Sequence, residues 1–113
     1  MNIASRIVNI ASYSMKHSIE KLILSNTFRA GLAGLAKSLS VELAPEGILI
    51  NTLGSGYIST ERSASINKVQ AQAQGVTVEE IRRQVEAQIP LGRYGRPEEF
   101  AKVAAFLASP ANG

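Results

Sequence analysis

A hydroxyl, a phenol and an ammonium stand close together in one short polar stretch, Ser12-Tyr13-Ser14-Met15-Lys16-His17. The stretch follows an apolar run, Ile7-Val8-Asn9-Ile10, that reads as a strand. In open α/β sheets ligands gather outside the carboxyl ends of the strands, so Ser12, Tyr13 and Lys16 fall on the side where chemistry would occur. A loop there can bring a phenol and an ammonium together for acid–base work. The same residue types also serve simply to solvate a loop, and Ser12 also suits a strand-end hydroxyl that satisfies a backbone group. A second polar turn, Gly54-Ser55-Gly56, leaves the end of another apolar run and leads to Ser59 and Thr60. His17 is the only histidine, and a lone histidine in a polar loop reads as a surface residue. With no second histidine, no cysteine and no clustered acids, no metal site is expected.

The elements that must position these residues follow from periodicity. Residues 6–11 read as a short, β-branched, buried parallel strand. A long helix begins near Leu22 and ends by Ala44, where Pro45 and Gly47 stop it. In its central stretch, 25–44, leucines 32, 35, 39 and 43 follow helical spacing, while Ala30, Ala33 and Ala36 fill other directions. A helix apolar nearly all round is expected to be buried on more than one side. Gly31 and Gly34 would allow a close approach. Residues 48–53 form a second strand, so strand, helix and strand make one βαβ unit. Residues 61–88 are different: polar, Ala/Gln-rich, broken at Gly75, with Thr77 and Glu80 spaced as a capping box. Two helices with few apolar anchors are expected there, as a mobile flap. Pro97-Glu98-Glu99 opens a last helix with acids at its positive end and an expected buried stripe of Phe100, Val103, Ala104, Phe106 and Leu107.

Composition sets the class. The 113 residues are 45% hydrophobic and 19% charged, as expected of one small globular domain. No apolar run suggests a membrane span, and no secretion signal is evident at the start. The absence of cysteine excludes disulfides and fits a cytoplasmic protein. Net charge is +3, with scattered basic residues; Arg82-Arg83 sits among Glu79, Glu80 and Glu86. That is a mixed-sign solvated face, so neither nucleic acid nor membrane is an expected partner.

Two strands cannot build a stable parallel sheet, which needs both faces covered. The chain therefore reads as one partial α/β domain over 1–113, the carboxyl-terminal half of a Rossmann-type doubly wound parallel sheet.

Five segments in order carry a resemblance: Arg6-Ile7-Val8-Asn9-Ile10 with Ser12; the Ala/Gly/Leu helix ending Val41-Glu42-Leu43-Ala44-Pro45; Gly47-Ile48; Asn51 with Gly56-Tyr57-Ile58 and Thr60; and the run from Ile89 to Glu99. Together they resemble the short-chain dehydrogenase/reductases, and among them the 3-oxoacyl-(acyl carrier protein) reductase-like members. The resemblance implies NAD or NADP as cofactor, a carbonyl or alcohol substrate, and a homo-oligomer packed through the 25–44 helix. It also implies a Ser, a Tyr and a Lys acting together. The Tyr gives the carbonyl its proton, the Lys lowers the Tyr pKa and holds the ribose, and the Ser hydrogen-bonds the carbonyl oxygen. Ser12 matches the Ser. The Tyr and Lys positions hold Ser25 and Arg29, one helical turn apart. An aliphatic hydroxyl is a far weaker acid than a phenol, and an arginine cannot shuttle a proton. Arg29 can still reach a ribose or phosphate with its forked donors. Otherwise Ser25 reads as a helix cap and Arg29 as a surface charge. Gly56 and Thr60 match the turn that contacts the nicotinamide end, although Ser55 replaces the family's proline. The family's glycine-rich phosphate turn is absent from these residues.

Three readings stay open. The chain is part of an NAD(P)-dependent oxidoreductase, inactive by itself. It is a non-catalytic relic or dimerisation module of the same family. Or Tyr13 and Lys16 work as a displaced catalytic pair.

Overall fold

The computed structural model describes residues 2–12 and 23–113, and the chain divides into two compact units. The first comprises Met1–Gly56 and Ala101–Gly113, the second Tyr57–Phe100.

In the first unit, strand β1 (Ser5–Ser12) and strand β2 (Ile48–Ser55) pair in parallel, from Ser5 opposite Ile48 to Ser12 opposite Ser55. Helix α1 (Ile23–Leu43) packs chiefly on β2. A single 3₁₀ turn, Ala44–Glu46, carries the chain from α1 into β2. Gly47 makes that turn possible. Its φ of +74° lies in the left-handed region, and a Cβ there would collide with the Asn2 carbonyl oxygen. The Gly47 carbonyl also accepts from the Ala4 amide at 2.7 Å, fastening the chain just ahead of β1. Arg6 on β1 donates from Nε to the Asn112 carbonyl at 2.8 Å, which ties the strand to the last residues.

Cover is thin in this unit. Among its described residues only Ala11, Ala36 and Gly47 are buried, and Ile10 on β1 is 59% exposed. Among the described residues α1 rests on the sheet by one side, while Phe28, Leu32, Leu35 and Val41 are open to solvent. None of those residues approaches within 4 Å of where a Gly31 or Gly34 Cβ would lie. Helix α4 (Pro97–Ala108) also departs from expectation. None of its residues is buried; Phe100, Ala104 and Leu107 are half-buried, and Val103 and Phe106 are exposed.

The second unit is a helical hairpin, α2 (Glu61–Gln74) against α3 (Val78–Gln88), closed by residues 89–100. Thr60 caps α2 in a reciprocal box: its Oγ1 accepts from the Ser63 amide, and Ser63 Oγ accepts from the Thr60 amide at 2.9 Å. Thr77 caps α3 by accepting from the Glu80 amide, as its spacing predicts. This unit has a small core of its own. Ile81 is almost fully buried, and Ala71, Tyr94 and Asn67 are buried too. A two-residue parallel bridge, Ile58 to Gly95, holds the returning chain, with Ser59 and Gly95 amides donating at 2.8 Å each. The polar composition of 61–88 thus hides several anchors that come from outside it, at Tyr57, Ile58 and Tyr94.

Candidate functional site

Pairing sets the first half of the site. Because β1 and β2 run parallel and in register, Ser12 and Ser55 lie opposite each other at the carboxyl ends of the two strands. Ser55 Oγ reaches back to the Ala11 carbonyl at 3.4 Å. Gly56 follows directly, and a Cβ built on it would meet nothing within 4 Å, so the turn presents open backbone. That is the setting in which backbone can approach a ligand closely.

Helix α1 supplies the second group. Arg29 donates from Nε to Ser25 Oγ at 3.1 Å, across one helical turn. Both side chains are half-buried. Ser25 lies inside α1, after Ile23 and Leu24, so its reading as a helix cap is corrected. The bond fixes the guanidinium by its Nε and leaves the Nη nitrogens for other partners. Tyr13, Lys16 and His17 lie outside the described residues. Thr60, in the second unit, already uses its hydroxyl oxygen as the α2 cap.

The groups present that suit a polar ligand are an open turn at Gly56 and a half-buried, oriented guanidinium at Arg29. Among the described residues there is no group of histidine, cysteine or acid side chains able to hold a metal.

Sequence reasoning missed a second constellation, in the second unit. Tyr94 is 4% exposed and accepts from Asn67 Nδ2 at 3.1 Å; Asn67 is itself 6% exposed. Arg82 stacks over the Tyr94 ring at 4.5 Å, and the Tyr57 ring meets it edge-on at 6.1 Å. Tyr57, Ile66, Asn67, Gln70 and Val85 help Tyr94 line a recess of about 140 Å³. Beside it, Glu99 accepts from Arg93 on both oxygens, at 3.0 and 3.2 Å, and from Arg96 Nε at 3.0 Å. The Arg93 guanidinium, then the Arg96 amide, pulls the Glu99 carboxyl down to about 2. The residues were visible in the sequence as Gly92-Arg93-Tyr94-Gly95-Arg96, but no spacing rule joins Tyr94 to Asn67 or Arg82.

A parallel βαβ unit of this kind places its strand-end hydroxyls and glycine turn where ligands gather in open α/β sheets. Comparison with known proteins narrows this. The family described as enoyl-(acyl carrier protein) reductase matches residues 1–113. The chain is 40% identical over 104 residues to 3-oxoacyl-[acyl-carrier-protein] reductase of Aquifex aeolicus, covering 92% of this chain and 38% of that one. It superposes on an actinorhodin polyketide ketoreductase solved with NADPH at a TM-score of 0.87, with 34% identity and 95% of this chain and 41% of that chain covered. An NADPH-bound short-chain oxidoreductase from Pseudomonas aeruginosa, described as containing an atypical catalytic center, gives 0.75, with 30% identity over 94% of this chain and 39% of that chain. The chain belongs to the short-chain dehydrogenase/reductase family. It spans about two-fifths of the length of the curated relatives it matches. No helix among the described residues is long and apolar enough to cross a membrane.

Proposed function

We propose that this chain carries the substrate-side half of an NAD(P)-dependent short-chain oxidoreductase acting on a ketone or alcohol, with 3-oxoacyl thioesters as the favoured substrate class. The observation that carries this reading is the in-register pairing of β1 with β2, which brings Ser12 level with the open Gly54-Ser55-Gly56 turn. Relatives named as ketoacyl reductases and bound to NADPH support it. NAD(P)H, when bound, would supply the hydride for the carbonyl carbon. Ser12 would donate a hydrogen bond to the carbonyl oxygen, and Arg29 would hold a ribose hydroxyl or a phosphate with its Nη nitrogens. Gly56 would let the backbone come close to the nicotinamide end.

The proton for the alkoxide needs another source than Ser25, whose hydroxyl is too weak an acid. Tyr13, with Lys16 three residues on, is the proposed source. A setting in the cytoplasm suits the cysteine-free chain. These 113 residues alone are expected to show no turnover, because they contain no glycine pattern to cradle the pyrophosphate and no Tyr-x-x-x-Lys on α1. General acid catalysis is worth roughly 10²–10⁴-fold, so turnover by a completed enzyme rests on Tyr13 supplying the phenol that α1 lacks.

A second reading, a dimerisation module without catalysis, is favoured by one observation: the exposed apolar face of α1. One assay separates the two. NADPH oxidation with a 3-oxoacyl thioester is followed for the 113-residue chain and for a chimera completed with the amino-terminal half of a related reductase. The oxidoreductase reading expects turnover only in the chimera, abolished by Tyr13→Phe. An inactive chimera that binds NADPH leaves the module reading. Turnover by the short chain alone overturns the proposed incompleteness.

A further inference from the structure

We propose that Arg82, Arg93 and Arg96 form a phosphate-binding site in the second unit, separate from the groups assigned above to the reductase chemistry. The three guanidiniums and the Tyr94 ring line one open recess of about 370 Å³. How each arginine is held distinguishes this recess from a merely basic surface. Arg82 donates from Nε to Glu86 at 2.9 Å, and Arg96 donates from Nε to Glu99 at 3.0 Å. In both, the carboxylate occupies the Nε side, and among the described residues neither arginine donates a hydrogen bond from its Nη nitrogens. The outer fork of each guanidinium is therefore oriented and unspent. Arg82 is fixed further by its Cζ lying over the Tyr94 ring, 4.5 Å from the ring centre. Arg93 plays a different part: its Nη nitrogens are given to Glu99 and to the Tyr94 carbonyl, so it braces the wall and adds charge.

Charge and shape favour phosphate. Three guanidiniums face two carboxylates, Glu86 and Glu99, leaving a positive balance for an anion to fill. Arginine forks match the oxygens of a tetrahedral oxyanion two at a time. Two unspent forks approaching one recess can each take a separate pair of oxygens on a phosphate, which presents three or more. Side-chain exposures of 47% for Arg82, 53% for Arg93 and 71% for Arg96 keep the site open to a ligand from solution. The phosphate comes either from a small monoester or from a diester within a longer molecule.

The test uses the full 113-residue chain, with arginine side-chain Nε–H resonances and the Tyr94 ring followed by NMR at constant ionic strength. Three ligands are titrated: inorganic phosphate, methyl phosphate and dimethyl phosphate, against chloride as the control. Saturable shifts at Arg82, Arg96 and the Tyr94 ring, with Arg83 unmoved, are expected for at least one of them. A preference for methyl over dimethyl phosphate assigns the monoester source, and the reverse assigns the diester. Arg82→Gln and Arg96→Gln should each weaken binding by about tenfold or more, the worth of a charge-assisted forked contact. Arg83→Gln, on the same helix but outside the recess, should leave it unchanged. Arg96→Lys keeps the charge and the fold but loses the fork, and should also weaken binding. Shifts that merely follow chloride, no saturation with any phosphate, or an Arg83→Gln effect as large as that of Arg96→Gln would overturn the proposal.

Discussion

Tyr94→Phe isolates one hydrogen bond at the centre of the second unit. The phenyl ring keeps its place under Arg82 and against Tyr57, so the aromatic contacts survive. What is lost is the acceptor for Asn67 Nδ2, at 3.1 Å. Asn67 is 6% exposed, too little for water to replace the missing partner without rearrangement. Leaving a buried amide donor unsatisfied costs about 1–3 kcal/mol, against the ~1 kcal/mol that an average hydrogen bond contributes. Asn67→Leu, with the same branching but more bulk, strands the Tyr94 hydroxyl instead and should cost at least a similar amount. Replacing both partners removes both polar groups, and the double variant should lie close to wild type. The expected signature is therefore a coupling energy of about 1 kcal/mol or more, of the sign that makes the double change milder than the sum. Urea unfolding by circular dichroism gives the energies, and hydrogen exchange in α2 and α3 shows whether the loss is local to the hairpin. Two single variants within a few tenths of a kcal/mol of wild type, or strict additivity in the double, would refute the reasoning that this bond organises the unit.

Glu99 has a folded pKa of about 2 against an ordinary 4.5, held down first by the Arg93 hydrogen bond, so its contribution to stability is present above about 4.5 and is lost as pH falls toward 2. A carboxyl titration midpoint for Glu99 in the ordinary range, by NMR, would contradict this. Gly47→Ala must place a Cβ at φ +74° against the Asn2 carbonyl, and should cost about 1–3 kcal/mol in thermal or urea unfolding; no loss would mean the turn can relax. The exposed Phe28, Leu32 and Leu35 on α1 should drive self-association, seen by sedimentation at micromolar concentration, and Leu35→Asp should reduce it. A folded monomer with no concentration dependence would count against that face being an interface.

Periodicity made most of the elements legible. The apolar runs at 6–11 and 48–53 became β1 and β2 with one or two residues more at their ends, and the leucine spacing gave α1 almost to its last residue. Pro45 and Gly47 marked the turn because fixed φ and positive φ are local properties. Burial was less legible. Leu35 and Phe106 are apolar and helically spaced, yet whether such a stripe is covered depends on what packs against it, and within this chain α1 and α4 find little. Polar residues misled in the opposite direction. Asn67 looks like a solvated position on a Gln-rich helix, but Tyr94, twenty-seven residues later, buries and satisfies it. Ser25 and Arg29 were legible as neighbours by spacing alone, and their bond at 3.1 Å follows from one turn of helix.

The two units differ in a way that bears on function. The hairpin unit satisfies itself: caps at Thr60 and Thr77, a buried Ile81, and Tyr94 gathering α2, α3 and the returning chain. The sheet unit does not. Two parallel strands of eight residues leave Ile7 and Ile10 open, and α1 turns Phe28 and Leu35 to solvent. Parallel pairs are stable when helices or further strands cover them, so these exposed residues mark the faces that need cover. The Ser12–Ser55 register and the Ser25–Arg29 bond are built into that same uncovered unit. Their chemistry therefore depends on whatever completes the sheet, because water reaching a half-open site weakens each hydrogen bond that would hold a carbonyl oxygen or a phosphate. The arginine recess has no such dependence, since Arg82, Arg93, Arg96 and Tyr94 all belong to the unit that is packed already. Phosphate binding there should thus survive in the 113-residue chain even where turnover does not, and measuring both on one preparation separates the two properties.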